Sequence, residues 1–353
     1  LQLPHFALPF PPKDSHFAQV TTDEHFMRLA LAQARKGLGR TSPNPAVGAI
    51  LVAEEKVIAR GYHHQAGKPH AEIEALKKSA APEGATLYVT LEPCSTHGRT
   101  GPCTEAVIAA GIKRVVIGAV DPNPAHAGRG VDLLRNAGIE VATGVLEKEC
   151  AELNRAFNKW VVTKLPYVVA KAGLTLDGRL TLPPGEGQWI TNPASRADAH
   201  RIRAGVDAIL IGAETLRVDN PKLTVRGVGA AKQPLRVVLT RSGNLPADAH
   251  LFTDEFKDRT LVFQNQSLSE VLRELGAREI TSVLIEGGGE ILGQAFDQRL
   301  VDEVVFYFAP IIAGGPTVIG GLGARESAAS IRLENPLYKR IGGDIRVSGR
   351  VQK

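Results

Sequence analysis

Between Asp23 and the last ten residues, short apolar runs alternate with amphipathic stretches of helical length, which leaves little besides a layered α/β fold. A first series opens with a helix in "TDEHFMRLALAQARKGLG", which begins on Thr/Asp capping candidates and ends on Gly. A strand hairpin in "AVGAILVAEEKVIARGYH" and a helix in "HAEIEALKKSA" follow. The strand "ATLYVTLEPC", the helix "TEAVIAAGI", the strand "RVVIGAVDPNP" and a last helix and strand in "GVDLLRNAGIEVATGV" complete it. The stretch "LEKECAELNRAFNKWVVTKLP" interrupts the rhythm and reads as one helix ended by Pro166. A second series then runs from "YVVAKAGLTLDGRL" to "VDEVVFYFAPII", and the final "GDIRVSGRVQ" alternates like an edge or closing strand. At 353 residues the chain exceeds the roughly 250–300 at which one core usually divides. The expectation is two α/β domains, over 21–147 and 166–353, joined by a linker helix over 148–165. Residues 1–20, rich in proline and without periodicity, are expected to be a poorly ordered leader without signal-peptide features.

Composition narrows the function. A hydrophobic fraction of 43% and a charged fraction of 22% are those of a globular protein, and no apolar run reaches the roughly 20 residues a membrane helix needs. The net charge of +5 is spread along the chain without a Lys/Arg block, which suits small anionic ligands and argues against a nucleic-acid tract. Cys94, Cys103 and Cys150 are too few for a disulfide framework and point to a reducing cytoplasm.

"PHAEIEAL" places His70 and Glu72 two residues apart at a helix start, where a proline and acidic residues are also favoured by backbone geometry and the helix dipole alone. Eighteen residues past Glu72, "TLEPCSTHGRTGPCTEA" begins; it supplies Cys94 after a strand and Cys103 entering a helix. One His and two thiolates make a three-ligand set that leaves the fourth tetrahedral position of zinc to water, as catalytic sites do. Glu72 is then the non-ligand acid/base that moves a proton from water to a leaving amine. The order H-x-E, then P-C, then a second Cys is that of zinc deaminases, with one departure: eight residues separate the thiols where the common signature has two. The insert carries Thr96, His97 and Arg99, candidates for gripping substrate, with Arg99 suited to a phosphate.

"TSPNPAVGAI", "GYHHQAGKPHAEIEAL", "TLEPCSTHGRTGPC" and "DPNPAHAGRG" together resemble the deaminase half of the bifunctional riboflavin biosynthesis family. The resemblance implies a cytidine-deaminase-like three-layer α/β/α domain, zinc on His70, Cys94 and Cys103, and Glu72 as general acid/base. It also implies that Asn44 and His63 contact the pyrimidine. His126 departs from the family, which generally carries an apolar residue there.

In the second series, "SVLIEGGGEILGQAF" runs a strand into Gly287, Gly288 and Gly289 and then a helix. Such a turn either lets backbone N–H groups approach a phosphate or serves conformation alone, and its spacing is not a clean dinucleotide fingerprint. Lys171, Asp177, Trp189, Thr191, Arg203, Asp219 and Arg226 fall at predicted strand and helix ends, and from chemistry alone they suggest a phosphorylated ligand without naming a reaction. "KAGLTLDGRL", "QWIT", "VDNPKLTVR", "LIEGGG" and "FYFAPIIAGG" resemble the reductase half of the same family. That implies a dihydrofolate-reductase-like α/β domain using NADPH. Lys171, Asp219 and Glu286 would surround the reacting ribose, and Arg203 and Arg226 would hold its phosphate. Trp189, Thr191 and the glycines 287–289 would meet the cofactor, with Gly187 standing where the family often has Ser.

The reading that follows is two consecutive reactions. The first is zinc-dependent deamination of 2,5-diamino-6-(5-phosphoribosylamino)pyrimidin-4-one. The second is NADPH-dependent reduction of the ribosyl group to ribityl, with Lys171 or Asp219 as proton donor. The expected partners are a phosphorylated pyrimidine and a second copy of the chain, through the apolar "VVFYFAP" strand of the reductase domain, with neither nucleic acid nor membrane. Two rivals stand beside it. One is a zinc deaminase of free nucleosides or nucleic acid, disfavoured by 5% aromatic residues and no basic cluster at the site. The other is a non-enzymatic protein whose zinc is closed by His63, His64 or His97.

Overall fold

The computed structural model describes residues 21–96, 101–181, 189–314 and 319–352. The expected leader, His97, Arg99 and Gly187 lie outside them. The first half runs α1 (Thr22–Ala34), β1 (Gly48–Ala53), β2 (Lys56–Tyr62), α2 (Ala71–Leu76), β3 (Thr86–Leu91), α3 (Cys103–Ala109), β4 (Arg114–Ala119), α4 (Arg129–Asn136) and β5 (Glu140–Thr143). Its sheet has the order β2-β1-β3-β4-β5, antiparallel where the β1–β2 hairpin and β3 meet and parallel from β3 to β5. Thr21 caps α1 by accepting from Glu24 N–H at 3.2 Å, which satisfies one of the donors left open at a helix start. Helices α1 and α2 lie so close to the hairpin that only glycine fits beneath them. A Cβ on Gly48 would stand 2.1 Å from the Ala30 carbonyl oxygen, and one on Gly61 2.1 Å from that of Ala71. This close approach sets α2, and with it His70 and Glu72, against the sheet.

The joint departs from the expected single linker helix. It is two helices, α5 (Glu147–Leu153) and α6 (Arg155–Thr163), broken at Asn154. The buried Asn154 side chain explains the break: it accepts from Ala46 N–H at 2.8 Å and donates to the Ala46 carbonyl at 3.0 Å, outside its own helix.

The second half runs β6 (Tyr167–Thr175), α7 (Pro193–Ala204), β7 (Ala208–Gly212), α8 (Ala213–Asp219), β8 (Leu235–Thr240), α9 (His250–Thr253), β9 (Thr260–Gln264), α10 (Leu268–Ala277), β10 (Ser282–Glu286), α11 (Gly289–Asp297), β11 (Glu303–Ala309), β12 (Leu333–Ile341) and β13 (Asp344–Val351). Its sheet has the order β12-β13-β11-β6-β10-β7-β8-β9, parallel from β11 to β9 and closed by an antiparallel hairpin. Of the two readings of the last stretch, edge or closing strand, β13 is the closing one, paired between β12 and β11. The edge on this side is β12, which Pro336 and a register shift between Glu334 and Leu337 hide from sequence reading; both are edge-strand features. The "VVFYFAP" strand, β11, lies inside the sheet between β13 and β6, with Val304, Val305 and Tyr307 buried. Strands β7 and β10 are neighbours whose outgoing chains leave in opposite directions, to β8 and to β11. Ligands of open α/β sheets bind in the crevice beyond the strand ends at such a place.

Candidate active sites

His70 is the residue before α2, Glu72 stands in its first turn, Cys94 follows β3 and Cys103 opens α3. Because α2 packs on α3, the three ligand candidates meet. The His70 Nδ1 atom lies 3.4 Å from Cys94 Sγ and 3.3 Å from Cys103 Sγ, and all three donor atoms fall within 4.8 Å of one another. Two tetrahedral zinc ligands with bonds of about 2.0–2.3 Å stand about 3.5 Å apart, so the spacing fits the ion. The Cys94 thiol is held down at about 4 by a hydrogen bond from Cys103 and, after burial is overcome, by His70 and the Cys103 backbone N–H. Cys103 is pushed up by that same hydrogen bond and by burial. This set gathers negative charge on soft donors, which is what a thiophilic cation requires.

Glu72 is 3% exposed, and burial pushes its carboxyl up to about 7 against the pull of His70. Its Oε2 has no hydrogen-bond partner among the described residues. A buried acceptor left without a donor costs free energy unless a ligand supplies one, which marks the atom as facing a missing group. Beside it, His63 Nδ1 lies 3.0 Å from the Pro69 carbonyl, which only an N–H can satisfy. That assigns Nε2 as acceptor, and burial keeps the ring neutral. The Asn44 amide, 3.2 Å away, donates its N–H to that Nε2 and so keeps Oδ1 as an acceptor for a ligand.

These groups line a cavity of about 220 Å³ whose far wall includes Asp121, Asn123, His126 and Phe157. The wall over 121–131 is tied down by Glu92, a residue that reading the chain did not single out. Its buried carboxylate accepts from the backbone N–H groups of Asp121, Gly128 and Gly130 at 3.1, 3.0 and 2.8 Å. The signal was present in "LEPC", where an acidic residue directly follows a buried apolar strand. His126 turns a buried Nδ1 to this wall with no hydrogen-bond partner among the described residues.

In the second half the charged groups satisfy one another. Lys171 on β6 is the register partner of Glu286 on β10, and its Nζ lies 3.6 Å from that carboxylate. Arg203 from α7 grips Glu286 bidentately, at 2.5 and 2.8 Å, and donates to the Thr224 carbonyl at 3.1 Å. Burial alone would raise Glu286, yet Arg203 and Lys171 outweigh it and hold the carboxyl at about 2. Arg226 donates to Thr224 Oγ1 at 2.6 Å, and its backbone N–H to His200 Nδ1 at 3.2 Å. Burial, then Arg203 and Arg226, push His200 down to about 4, so it is neutral and accepts; sequence reading did not pick it out. Burial raises the Asp219 carboxyl at the end of α8. Gly287 and Gly288 take φ of 127° and 50°, and a Cβ on Gly287 would meet Thr215 of α8 at 3.0 Å. The three-glycine turn thus lies along the crevice between β7 and β10, and conformation alone already requires glycine at its first position.

The residues 20–119 match the cytidine and deoxycytidylate deaminase zinc-binding region, and residues 166–347 match the RibD C-terminal domain. The riboflavin biosynthesis protein RibD of Aquifex aeolicus is 40% identical over 92% of this chain and 97% of its own, and that of Escherichia coli 36% identical over 92% and 98%. The chain belongs to the RibD family. Acinetobacter baumannii RibD superposes with a TM-score of 0.87 at 36% identity, covering 95% of this chain and all of that one. A Thermotoga maritima diaminohydroxyphosphoribosylaminopyrimidine deaminase/5-amino-6-(5-phosphoribosylamino)uracil reductase superposes at 0.86 with 37% identity, covering 94% and 99%.

Within this RibD-family chain the expected deaminase residues divide. His70, Glu72, Cys94, Asn44 and His63 line one cavity, with Cys103 against His70, whereas Thr96 is exposed on the loop before the undescribed residues. Of the expected reductase residues, Lys171, Glu286 and Arg203 form one ion cluster with Arg226 beside it through Thr224. Thr191 crosses β6, its methyl 3.0 Å from where a Gly173 Cβ would stand, and the exposed Trp189 ring lies 5.0 Å from the Arg196 guanidinium carbon.

Proposed function

We propose that this chain catalyses two consecutive steps of riboflavin biosynthesis. The first is hydrolytic deamination of 2,5-diamino-6-(5-phosphoribosylamino)pyrimidin-4-one, and the second reduction of the ribosyl side chain to give 5-amino-6-(5-phosphoribitylamino)uracil. The observation that carries the reading is the convergence of His70, Cys94 and Cys103 beside the unpartnered carboxylate oxygen of Glu72. His70, Cys94 and Cys103 would hold zinc, which supplies the Lewis acidity that makes water nucleophilic near neutral pH. Glu72, whose carboxyl burial raises, takes the proton from the attacking water and passes it to the amino group leaving C2. Asn44 Oδ1 accepts from the pyrimidine, while neutral His63 holds the Asn44 amide in that orientation. Thr96, His97 and Arg99 are assigned to the phosphoribosyl end.

In the second domain the crevice between β7 and β10 would bind NADPH, which supplies hydride to C1′ of the ribosyl group. Thr191, Trp189 and the glycines 287–289 are assigned to the cofactor. Lys171 and Asp219 flank the reacting ribose as proton-donor candidates, and Glu286 pairs with Lys171 at 3.6 Å. Arg226 takes the phosphate, with Arg203 beside it bound to Glu286. Among the described residues no helix is long and apolar enough to cross a membrane, and the three thiols are free, which suits a reducing cytoplasm. Pairing of two copies is assigned to the second domain, where edge strand β12 exposes Leu337 and Tyr338, rather than to the interior β11.

A two-channel assay on zinc-loaded protein tests the reading. Ammonia release should precede NADPH oxidation, which begins only once deaminated product exists. Ammonia without oxidation under NADPH or NADH would overturn the second assignment. Ammonia from cytidine or deoxycytidylate but none from the diaminopyrimidine phosphate would overturn the first.

A further inference from the structure

The segment that carries Asn44 to the deaminase cavity is held from outside its own domain. On one side of Asn44, the Ser42 hydroxyl donates to Asp207 Oδ2 at 2.7 Å, across the boundary between the halves. Asp207 precedes β7 and is buried, anchored by Thr281 N–H and Oγ1 at 3.0 and 2.7 Å and by Lys232 at 2.9 Å. On the other side, Asn154 of the joint holds both polar groups of the Ala46 backbone. Between these two points Asn44 has one local backbone bond, to the Thr41 carbonyl at 2.8 Å. The joint also supplies Phe157 to the cavity wall, and α6 is itself fastened to the second half. Lys159 meets Asp302 at 2.5 Å, and Trp160 Nε1 donates to the Gly276 carbonyl at 2.8 Å. The two halves are also in close contact at Gly39, where a Cβ would stand 2.5 Å from the Ala204 carbonyl oxygen.

We infer that Asp207, acting through Ser42, is a positioning residue for the deaminase, so that the reductase domain sets the wall against which the pyrimidine binds. The metal and proton groups sit on α2, α3 and the end of β3, all supported within the first domain. The Asn44 wall is only partly so: His63 meets the Asn44 amide from within the domain, while the backbone on either side of Asn44 is fastened to the joint and to the second sheet. Loosening Ser42 therefore weakens substrate placement and leaves the zinc ligands and Glu72 where they are. A hydrogen bond to a buried carboxylate is among the stronger ones, and its loss acts on the binding wall rather than on the reacting groups.

The inference rests on the deaminase assignment above, and the test separates the two. In Ser42→Ala, the KM for the diaminopyrimidine phosphate in ammonia release should rise about tenfold with kcat within about twofold, zinc content unchanged, and Ser42→Thr should restore it. NADPH oxidation on the deaminated product should be unaffected, which shows that the second domain is intact. Hydrogen exchange of the Asn44 and Ala46 amides reads the clamp without any catalysis and should quicken in Ser42→Ala about tenfold, with α2 unchanged. Unaltered exchange at these amides overturns the clamp whether or not the protein deaminates. Faster exchange with an unaltered KM overturns the positioning role. Absence of ammonia from the wild-type protein would instead count against the deaminase assignment, with the exchange result still deciding the clamp.

Discussion

The two sites solve the problem of burying polar groups in opposite ways. In the deaminase cavity, two thiols, an imidazole and a carboxylate converge, and one Glu72 oxygen has no hydrogen-bond partner among the described residues. In the reductase crevice, Glu286 is equally buried, yet Arg203 and Lys171 neutralise it directly. The first site gathers a thiol-rich donor set suited to a cation, whereas in the second Arg203 and Lys171 balance the buried carboxylate directly. Metal should therefore couple to the stability of the first domain, and internal ion pairs to that of the second.

The largest test of that contrast is Glu72→Gln. It should lower ammonia release by about 10²–10⁴-fold, the range for losing a general acid/base, with zinc retained and reduction of the deaminated intermediate unchanged. A parallel loss in the reductase channel would break the picture of two separate chemistries. Next, Glu286→Gln should cost the second domain about 3–5 kcal/mol in urea unfolding, because Arg203 is left buried without its counter-charge. A cost below about 1 kcal/mol would mean that the pair is screened like a surface one. Chelating zinc, or Cys103→Ser, should remove a smaller amount from the first domain alone, about 2.7 kcal/mol for zinc present at 100 times its Kd. Calorimetry that showed both domains shifting together would tie the halves more tightly than their separate cores suggest.

The smallest effect is on pH. His200 is depressed from 6.5 to about 4, so the unfolded chain binds a proton over that window which the folded chain refuses. Stability of the second domain should fall as the pH drops from 6.5 towards 4, and His200→Gln should flatten that slope. Glu286, depressed from 4.5 to about 2, adds a further loss only below pH 4.5, in the same direction. A urea midpoint independent of pH between 7 and 5 would remove His200 from this role.

The convergence of His70, Cys94 and Cys103 was legible because these residues are concentrated in two short motifs, so that local spacing already limits where each side chain can point. Glu92 was missed although it neighbours one of them, because its importance lies in backbone N–H groups some 30 residues on, which no local pattern encodes. The family resemblance grouped Lys171 with Glu286 around the ribose and set Arg203 apart on the phosphate, so the pairing of Arg203 with Glu286 was not legible. The arginine's commitment to Glu286 joins α7 to the end of β10, 83 residues on, which no local pattern encodes. The same holds for the broken joint: "LEKECAELNRAFNKWVVTKLP" has helical periodicity throughout, and the break falls at Asn154, whose side chain is bonded to Ala46, 108 residues away.

By itself, then, the order of apolar runs and caps determined two series of α/β elements, each building its own sheet, and the H-x-E and paired-Cys motifs determined the class of metal chemistry, since both depend on interactions a few residues apart. Tertiary structure decided the sheet edge, the closed ion cluster and the clamp of Ser42 on Asp207. Each of these joins residues far apart in the chain, and their pairing energies exist only once packing has excluded water from between them.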